Sequence, residues 1–266
     1  MPLLAFTQKS IILTGASAGI GAEVARQLSV FKPRLTLAGR NLEALEAVAA
    51  DCRARGAEMA CVVADMGIEA QARGVAAHAL EKFGAIDFLI NNAGVSGHAL
   101  FEEVTDFKWY EDMMRVNHFG PLWLTHAALP ALKRSKGLIV GVSSLAGKTG
   151  VPGRSAYSPS KFATAGFFET LRIELLESGV DVTMIFPGVV LTDIRLHGYG
   201  PDGKPAGKSG LKEEGGMTVE DCAAQMLNAM ANRRRELVMT PRARFALWLK
   251  LIAPSMVDKM ARAALK

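Results

Sequence analysis

Residues 10–21 read SIILTGASAGIG, a short β-branched apolar run that leads directly into three glycines, Gly15, Gly19 and Gly21. A strand followed by a glycine-rich turn and the start of a helix brings free backbone N–H groups close to a pyrophosphate. The spacing is Gly-x-x-x-Gly-x-Gly, and taken alone it also occurs in ordinary turns. Its place in the first strand–helix–strand unit predicts a dinucleotide site.

Outward from this turn, apolar strands alternate with amphipathic helices. The predicted strands are Ser10–Thr14, Arg34–Ala38, Met59–Ala64, Phe88–Asn91, Leu138–Val142, Val182–Phe186 and Glu236–Met239. The predicted helices run from the glycines to about Phe31, over Asn41–Arg55, up to about Phe83, and around Glu111–Arg134, Ala156–Glu177 and Thr218–Ala231. Strands that are apolar almost throughout are typical of a parallel sheet covered on both faces. We therefore predict a single α/β domain with a Rossmann-type, doubly wound parallel sheet of about seven strands.

Composition and charge exclude several classes of protein. The chain has 266 residues, 50% apolar and 21% charged, with no apolar run of membrane-spanning length. Three scattered cysteines predict a reduced, cytoplasmic protein. The net charge of +5 is concentrated after residue 232, where nine basic residues face two acidic ones, so the rest of the chain is slightly acidic. A body without basic excess argues against nucleic acid as a partner.

The end of the second predicted strand indicates which dinucleotide binds. NAD sites usually place a carboxylate there to bind the ribose 2′-hydroxyl. This chain has Gly39 and Arg40 instead, and Glu43 already lies in the next helix. The guanidinium of Arg40 suits a 2′-phosphate, which favours NADP(H) over NAD(H), although Arg40 as a solvated surface charge is the alternative.

Tyr157 and Lys161 are the candidate chemical groups. Residues four apart on a helix share one face. The positive charge of the lysine stabilises the phenolate, which prepares the tyrosine for proton exchange near neutral pH. The pair alone is also compatible with a purely structural role.

Further motifs accompany this pair in a fixed order. Ser144 lies 13 residues before Tyr157 at a strand end, Asn91-Asn92-Ala93-Gly94 ends the fourth strand, Asn117 follows, and Pro187-Gly188 ends the sixth strand. From about Lys9 to Met239 the chain resembles a short-chain dehydrogenase/reductase. The segments VSSLAGK and AYSPSKFA are similar to those of the 11β-hydroxysteroid dehydrogenase and retinol/lipid branch of that family.

The resemblance implies a role for each matching residue. Tyr157 would exchange the proton, Lys161 would bind the nicotinamide ribose, Ser144 would bind the substrate oxygen and Asn117 would hold a water in a proton relay. The implied cofactor-binding residues, with Arg40 added from the argument above, are Gly15, Ser17, Ala18, Gly19, Ile20, Gly21, Arg40, Asp65, Met66, Asn92, Ala93, Gly94, Tyr157, Lys161, Pro187, Gly188, Val190 and Thr192. NADP-preferring relatives often carry Lys or Arg where this chain has Ala18, so the NADP(H) prediction rests on Arg40.

These residues predict an NADP(H)-dependent oxidoreductase that interconverts an apolar ketone or aldehyde and its alcohol. A non-catalytic NADP(H)-binding sensor or scaffold is the alternative. The predicted substrate contacts are Leu145, Val151, Val189 and Leu191, with His98 as a weaker candidate and with Arg154, Arg195 and Lys148 as candidates for an acidic substrate group. No histidine has partners at metal-ligand spacing, so no metal is expected. The resemblance also implies a homodimer or homotetramer through the helices around Glu111–Arg134 and Ala156–Glu177.

The end of the chain carries a separate pattern. We predict a catalytic domain over residues 1–240, which includes a substrate loop at 193–216, and a basic amphipathic extension over residues 241–266. In this extension Phe245, Trp248, Leu249, Ile252 and Met256 recur at helical spacing, and Pro254 is expected to kink or split the helix. Such a helix can lie on an anionic membrane surface, or its apolar stripe can pack on the domain or across a subunit interface.

Overall fold

Seven strands form one parallel sheet in the computed structural model, which describes residues 5–207, 209–210 and 214–263. The strands are β1 Ser10–Thr14, β2 Arg34–Gly39, β3 Glu58–Val63, β4 Phe88–Asn91, β5 Leu138–Val142, β6 Asp181–Phe186 and β7 Glu236–Val238. Their order across the sheet is β3-β2-β1-β4-β5-β6-β7, and every neighbouring pair is parallel. The predicted α/β fold with a doubly wound, Rossmann-type sheet is therefore confirmed.

Helices cover both faces of this sheet. They are α1 Gly19–Ser29, α2 Leu42–Ala54, α3 Glu69–Phe83, α4 Lys108–Met114, α5 Gly120–Ser135, α6 Tyr157–Glu174, α7 Val219–Ala231, α8 Pro241–Ile252 and α9 Pro254–Ala263. One core contains the buried faces of α1, α2 and α7, and the other contains those of α3, α5 and α6. All residues of β1, β4 and β5 are buried, because each of these central strands has helices on both sides.

The predicted helix around Glu111–Arg134 is interrupted. Between α4 and α5, residues Arg115–Phe119 form a π-helical turn. In a regular α-helix the carbonyl of Asn117 would accept from the N–H of residue 121, but that residue is Pro121 and has none. The Asn117 carbonyl instead accepts a hydrogen bond from Thr164 Oγ1 on α6, at 2.7 Å. The proline thus releases a backbone group that joins two helices.

The last two helices meet at the predicted break, since α8 ends at Ile252 and α9 starts at Pro254. Along them Phe245, Trp248, Ile252 and Met256 are 54–65% exposed. These four side chains of the stripe therefore do not pack on the domain, whereas Leu249 is half-buried and the neighbouring Leu247 packs against the core. Ala243 and Val257 are buried instead, because the helices contact the domain through a different edge. No helix in the described residues is long and apolar enough to cross a membrane.

Candidate active site

A cavity of about 580 Å³ lies at the carboxyl ends of the strands. It spans the position where β1 and β4 are neighbours and the chain order reverses, which is where ligands bind in open parallel sheets. Apart from Asn117, every predicted catalytic and cofactor-binding residue lines this cavity, and so do Gly39, Ala64, Val95, Val116, Val142, Ser143, Leu191, Asp193, Ile194, Arg195, His197 and Val219.

The turn between β1 and α1 requires glycine for two reasons. Gly15 and Gly19 have φ angles of +65° and +54°, in the region that disfavours other residues. A β-carbon at Gly15 would lie 2.8 Å from Ala93 Cα, and one at Gly21 would collide with the carbonyl oxygen of Gly15. The three glycines therefore allow the turn to press against the end of β4.

Thr14 and Asn92 join this turn to the end of β4 by hydrogen bonds. The sequence alone assigned no role to Thr14. The Oγ1 of Thr14 accepts hydrogen bonds from the backbone N–H groups of Asn92 and Ala93, both at 3.0 Å. The side-chain amide of Asn92 donates to the carbonyls of Thr14 and Gly15, at 3.0 and 3.2 Å. The signal available in the sequence was a hydroxyl residue placed immediately before the first glycine.

Helix α1 begins without a side-chain cap, unlike α2, α7 and α8. In those helices Asn41, Thr218 and Thr240 accept from a backbone N–H of the first turn. Residue Ala18 has no side-chain oxygen to do so, and the first turn of α1 lines the cavity. Because the N-terminus of a helix carries partial positive charge, this arrangement fits the pyrophosphate of a dinucleotide.

The outer end of the cavity lies at the ends of β2 and β3. Arg40 is exposed at the cavity edge, and a β-carbon at the adjacent Gly39 would lie 3.4 Å from Ser17 Oγ. Asp65 Oδ1 accepts from the backbone N–H of Gly67 at 2.8 Å, and Asp65 N–H donates to Gln71 at 2.7 Å. This end therefore combines a cation with a carboxylate held in a defined orientation.

The other end contains Ser144, Tyr157 and Lys161. Ser144 Oγ accepts from the backbone N–H of Ala146 at 3.2 Å, which leaves its hydroxyl hydrogen available to a ligand. Lys161 is 4% exposed, donates to the carbonyl of Val142 at 3.1 Å, and holds its Nζ 5.7 Å from the centroid of the Tyr157 ring. The predicted pairing of Tyr157 with Lys161 on one face of α6 is present in the structure.

Asn117 lies behind this wall. Its Oδ1 accepts from the backbone N–H of Val95 at 2.8 Å, and its Nδ2 donates to the Val95 carbonyl and to Ser160 Oγ, both at 3.0 Å. A β-carbon at Gly94 would lie 3.1 Å from Asn117 Oδ1 and 3.3 Å from Lys161 Nζ. Asn117 and Lys161 therefore flank Gly94, although the Asn117 side chain does not line the cavity itself.

The expected substrate contacts are met only in part. Leu191 lines the cavity, whereas Leu145, Val151 and Val189 do not. His98 also lies outside the lining, because its ring packs against Gly153 and Gly210.

Of the three basic residues predicted to contact an acidic substrate group, only one lines the cavity. Arg195 lines the cavity, as does His197, which the sequence did not single out. Lys148 is paired with Glu236 at 2.9 Å, and Arg154 is buried with its guanidinium carbon 5.5 Å from the centroid of the Tyr157 ring.

Comparison with known proteins places these features in a family. A model of the short chain dehydrogenase family matches residues 9–197. The chain is 36% identical over 259 residues to dehydrogenase/reductase SDR family member 7B of Bos taurus, covering 94% of this chain and 79% of that protein. It is 34% identical over 253 residues to 11-beta-hydroxysteroid dehydrogenase-like 4A of Arabidopsis thaliana, covering 94% and 82%.

A solved structure shows the same likeness. An alcohol dehydrogenase from the archaeon Thermococcus sibiricus, in complex with 5-hydroxy-NADP, superposes with a TM-score of 0.74 at 26% identity. The likeness covers 87% of this chain and 95% of that one.

Proposed function

The chain belongs to the short-chain dehydrogenase family of oxidoreductases that act on alcohol and carbonyl groups with a nicotinamide dinucleotide, and we propose that it is NADP(H)-dependent and acts on an apolar ketone or aldehyde and its alcohol. One observation carries the proposal: Ser144, Tyr157 and Lys161 meet in a cavity whose other end is a glycine turn with an uncapped helix. The proposed proton donor and the turn that would bind the pyrophosphate thus line the same cavity.

The chemistry assigned to this chain concerns a proton and a developing negative charge. Ser144 donates its free hydroxyl hydrogen to the substrate oxygen and stabilises charge on it. Tyr157 gives its proton to that oxygen in reduction and takes it back in oxidation. Lys161, held by the Val142 carbonyl, stabilises the phenolate that remains. When bound, the dinucleotide supplies or accepts the hydride.

The residues that would hold the dinucleotide follow the length of the cavity. The first turn of α1 would receive the pyrophosphate, and Asp65 with Met66 would contact the adenine. Asn92, Ala93 and Gly94 would line the adenosine ribose, while Pro187, Gly188, Val190 and Thr192 would hold the nicotinamide. A β-carbon at Gly19 would lie 3.3 Å from Thr192 Cγ2, so the segment after β6 reaches the glycine turn and narrows the cavity there.

Preference for NADP(H) is supported by the corner formed by Ser17, Gly39 and Arg40. This corner offers a guanidinium and a hydroxyl, and neither Gly39 nor Arg40 supplies the carboxylate usual in NAD sites. A bidentate guanidinium suits a 2′-phosphate.

An apolar substrate is supported by the side chains near the reaction end. Val95, Leu191 and Ile194 line the cavity there. These apolar walls support a neutral, lipid- or steroid-like carbonyl compound as the proposed substrate.

The deciding experiment follows the loss of reduced-cofactor absorbance with purified protein and a panel of aldehydes, aliphatic ketones and steroid ketones, with NADPH and NADH in parallel. We expect turnover with NADPH on the larger apolar ketones. A preference for NADH would contradict the role of Arg40. Tight cofactor binding without turnover on any compound would favour the sensor or scaffold alternative.

Self-association is proposed for the α4–α5 surface. A shallow apolar groove there is lined by Tyr110, Glu111, Met114, Arg115, Phe119 and Trp123, and the rings of Phe119 and Trp123 stack 5.6 Å apart. Exposed aromatic surface of this kind suits burial between subunits. Sedimentation velocity should find a homodimer or homotetramer, and a monomer at every concentration would contradict this.

Peripheral membrane contact by a cytoplasmic protein is proposed for α8 and α9. The exposed side chains of Phe245, Trp248, Leu251 and Ile252 are accompanied by exposed basic residues at 242, 244, 259 and 262, which suits anionic lipid. Lys250 Nζ donates to the carbonyl of Lys148 at 2.8 Å, four residues beyond Ser144. The apolar helix thus adjoins the segment that carries a reaction residue, where a lipid-soluble substrate would enter.

The test is cosedimentation with vesicles of anionic and of neutral lipid at low salt. Binding to anionic vesicles only, reduced by Trp248→Ser with Ile252→Ser but not by Phe101→Ser, is expected. Phe101 is the control because it is 65% exposed in another part of the molecule. Absence of binding, or equal loss in both variants, would reject the membrane contact.

A further inference from the structure

Arg154 carries a charge that the proposed mechanism does not use. It is 4% exposed and lies in the turn before α6, three residues ahead of Tyr157. Its Nη1 donates to Ser96 Oγ at 2.6 Å and to the carbonyl of Gly97 at 2.9 Å, both uncharged partners. Within the described residues no carboxylate forms an ion pair with it.

An isolated buried cation is costly, and burial lowers the pKa of Arg154 from its ordinary value. The charged neighbours that act on it are Tyr157 and Arg195, and Arg195 repels it. Tyr157, which lies beside the guanidinium, can therefore supply a compensating negative charge once it has given up its proton.

The Tyr157 ring has two buried cations within 6 Å of its centroid. The guanidinium carbon of Arg154 lies 5.5 Å from the ring centroid, and Lys161 Nζ lies 5.7 Å from it. Arg154 is three residues before Tyr157, and Lys161 is four residues after it. Because both cations are 4% exposed, solvent screens their charges weakly.

The surroundings of Arg154 keep it in place. Gly153 O accepts from the backbone N–H of Ala99 at 3.0 Å, which holds the turn against the segment after β4. The Arg154 carbonyl accepts from the N–H of Ser158 at 2.8 Å, in the first turn of α6. The same residue thus accepts a hydrogen bond from the first turn of the helix that carries Tyr157 and supplies a fixed charge beside that tyrosine.

We propose that Arg154 is a positioning residue for the reaction, whose buried guanidinium stabilises the phenolate of Tyr157 together with Lys161. This rests on the proposed role of Tyr157 as proton donor. In reduction the tyrosine O–H bond breaks, its proton passes to the substrate oxygen, and the negative charge left on the phenolate is stabilised by the two nearby cations. In oxidation the same cations hold the phenolate ready to accept the proton.

The other groups around Tyr157 have to be considered in a test based on pH. They are Lys161 on the same helix, Tyr110 from α4, and Asp193, Arg195, His197 and Tyr199 from the loop after β6. Burial raises the pKa of Tyr199 above its ordinary value, and the Tyr110 hydroxyl is bonded to Ser155 at 2.7 Å.

The chain contains three tyrosines, so the phenolate of Tyr157 can be followed directly. The experiment records near-ultraviolet phenolate absorbance against pH for the full-length protein and for Tyr157→Phe, and their difference isolates Tyr157. The same pair is then measured with Arg154→Met and with Arg154→Lys. Circular dichroism at each pH reports whether the fold is kept.

We expect Arg154→Met to move the Tyr157 phenolate to higher pH, since removal of a nearby positive charge disfavours the anion. Arg154→Lys should restore most of the wild-type position. With a substrate from the panel, kcat in Arg154→Met should fall about tenfold to hundredfold with dinucleotide affinity unchanged. Arg172→Met is the matched control, because Arg172 lies on α6 and donates to a backbone carbonyl, that of Val182, at 3.2 Å.

An unchanged phenolate titration in folded Arg154→Met would overturn the inference, as would an equal shift in Arg154→Lys or in Arg172→Met. If Arg154→Met does not fold, Ser96→Ala decides: it frees the guanidinium from one partner, so a smaller shift in the same direction supports the inference and no shift rejects it. The titration needs no substrate. Failure of the proposed enzymatic activity would therefore appear as absent turnover, separate from this result.

Discussion

The two ends of the cavity are built in different ways. The cofactor half, at the ends of β1–β3 with the start of α1, consists mainly of backbone, glycines and an uncapped helix. The reaction half, at the ends of β4–β6 with the start of α6, consists mainly of polar side chains, with Ser144 and Tyr157 half-buried in front of a buried hydrogen-bonded group. Asn117, Ser160 and Lys161 are each at most 4% exposed and are hydrogen-bonded.

This contrast separates two ways of specifying a site. In the cofactor half the decisive property is space, because a single added β-carbon would overlap backbone atoms. In the reaction half the decisive property is the identity of an atom, because each buried donor or acceptor needs its partner. An added methyl group should therefore impair the cofactor half, whereas the loss of a single oxygen atom should impair the reaction half.

The largest expected effect is in the reaction half. Tyr157→Phe removes the proposed proton donor and should lower kcat about a thousandfold, within the usual range for general acid catalysis. Dinucleotide affinity should stay within about twofold, because the ring and its packing remain. Steady-state kinetics and cofactor fluorescence titration measure the two. Tyr110→Phe, whose hydroxyl contacts Ser155 outside the cavity lining, is the control, and near-normal turnover in Tyr157→Phe would refute the assignment.

The next effect tests space in the cofactor half. Gly21→Ala places a methyl group on the carbonyl of Gly15, so the turn has to move. We expect the dissociation constants of NADPH and NADH to rise together by about ten- to a hundredfold, a loss of roughly 1.4–2.8 kcal/mol. Gly74→Ala is the control, since a β-carbon there meets nothing within 4 Å and favours α3. If Gly21→Ala binds both dinucleotides with normal affinity, the turn between β1 and α1 does not bind the pyrophosphate.

A smaller effect should appear at Arg40, the cation at the outer end of the cofactor half. Arg40→Ala should raise the KM for NADPH about tenfold, in keeping with one charge-assisted contact, and leave that for NADH unchanged. Arg53→Ala on α2, an arginine paired with Glu46 at 3.0 Å, serves as the comparison. Equal changes for the two cofactors would show that Arg40 does not contact the 2′-phosphate.

The smallest expected effect is on the free energy of unfolding at acidic pH, through His118, the residue that follows Asn117. His118 lies in the π-helical turn beside the rings of Phe119 and Phe167, and burial lowers its pKa from the ordinary 6.5. The unfolded chain then binds the proton more readily than the folded one. The free energy of unfolding therefore falls as the pH drops from above 6.5 toward the folded-state value.

Urea unfolding between about pH 8 and pH 5.5 measures this slope, in a window centred on the reference value for histidine. His118→Phe should make it shallower, whereas the same substitution at the exposed His126 is the control. An unchanged slope in His118→Phe would mean that this ring does not couple to folding.

The sequence predicted the cofactor half more completely than the rest. The strand, the glycine spacing and the start of α1 are neighbours along the chain, so their geometry follows from local steric rules. The π-helical turn was not predicted, although Pro121 was visible as its cause, because the substitute partner Thr164 lies 47 residues away. Leu145, Val151 and Val189 were expected to face the cavity because they lie near its motifs, but sequence proximity does not determine which way a loop side chain points.

By itself, then, the sequence determined the parallel α/β fold, the glycine turn and the placing of Tyr157 and Lys161 on one helix face. All three depend on periodicity and backbone freedom over a few residues. Only the tertiary structure decided that Arg154 is buried beside Tyr157, that Asn117 lies behind the cavity wall and that the apolar stripe of α8 is exposed. These outcomes depend on which surfaces meet when distant segments pack, and hydrophobic periodicity shows which face of a helix is apolar but not which distant segment that face contacts.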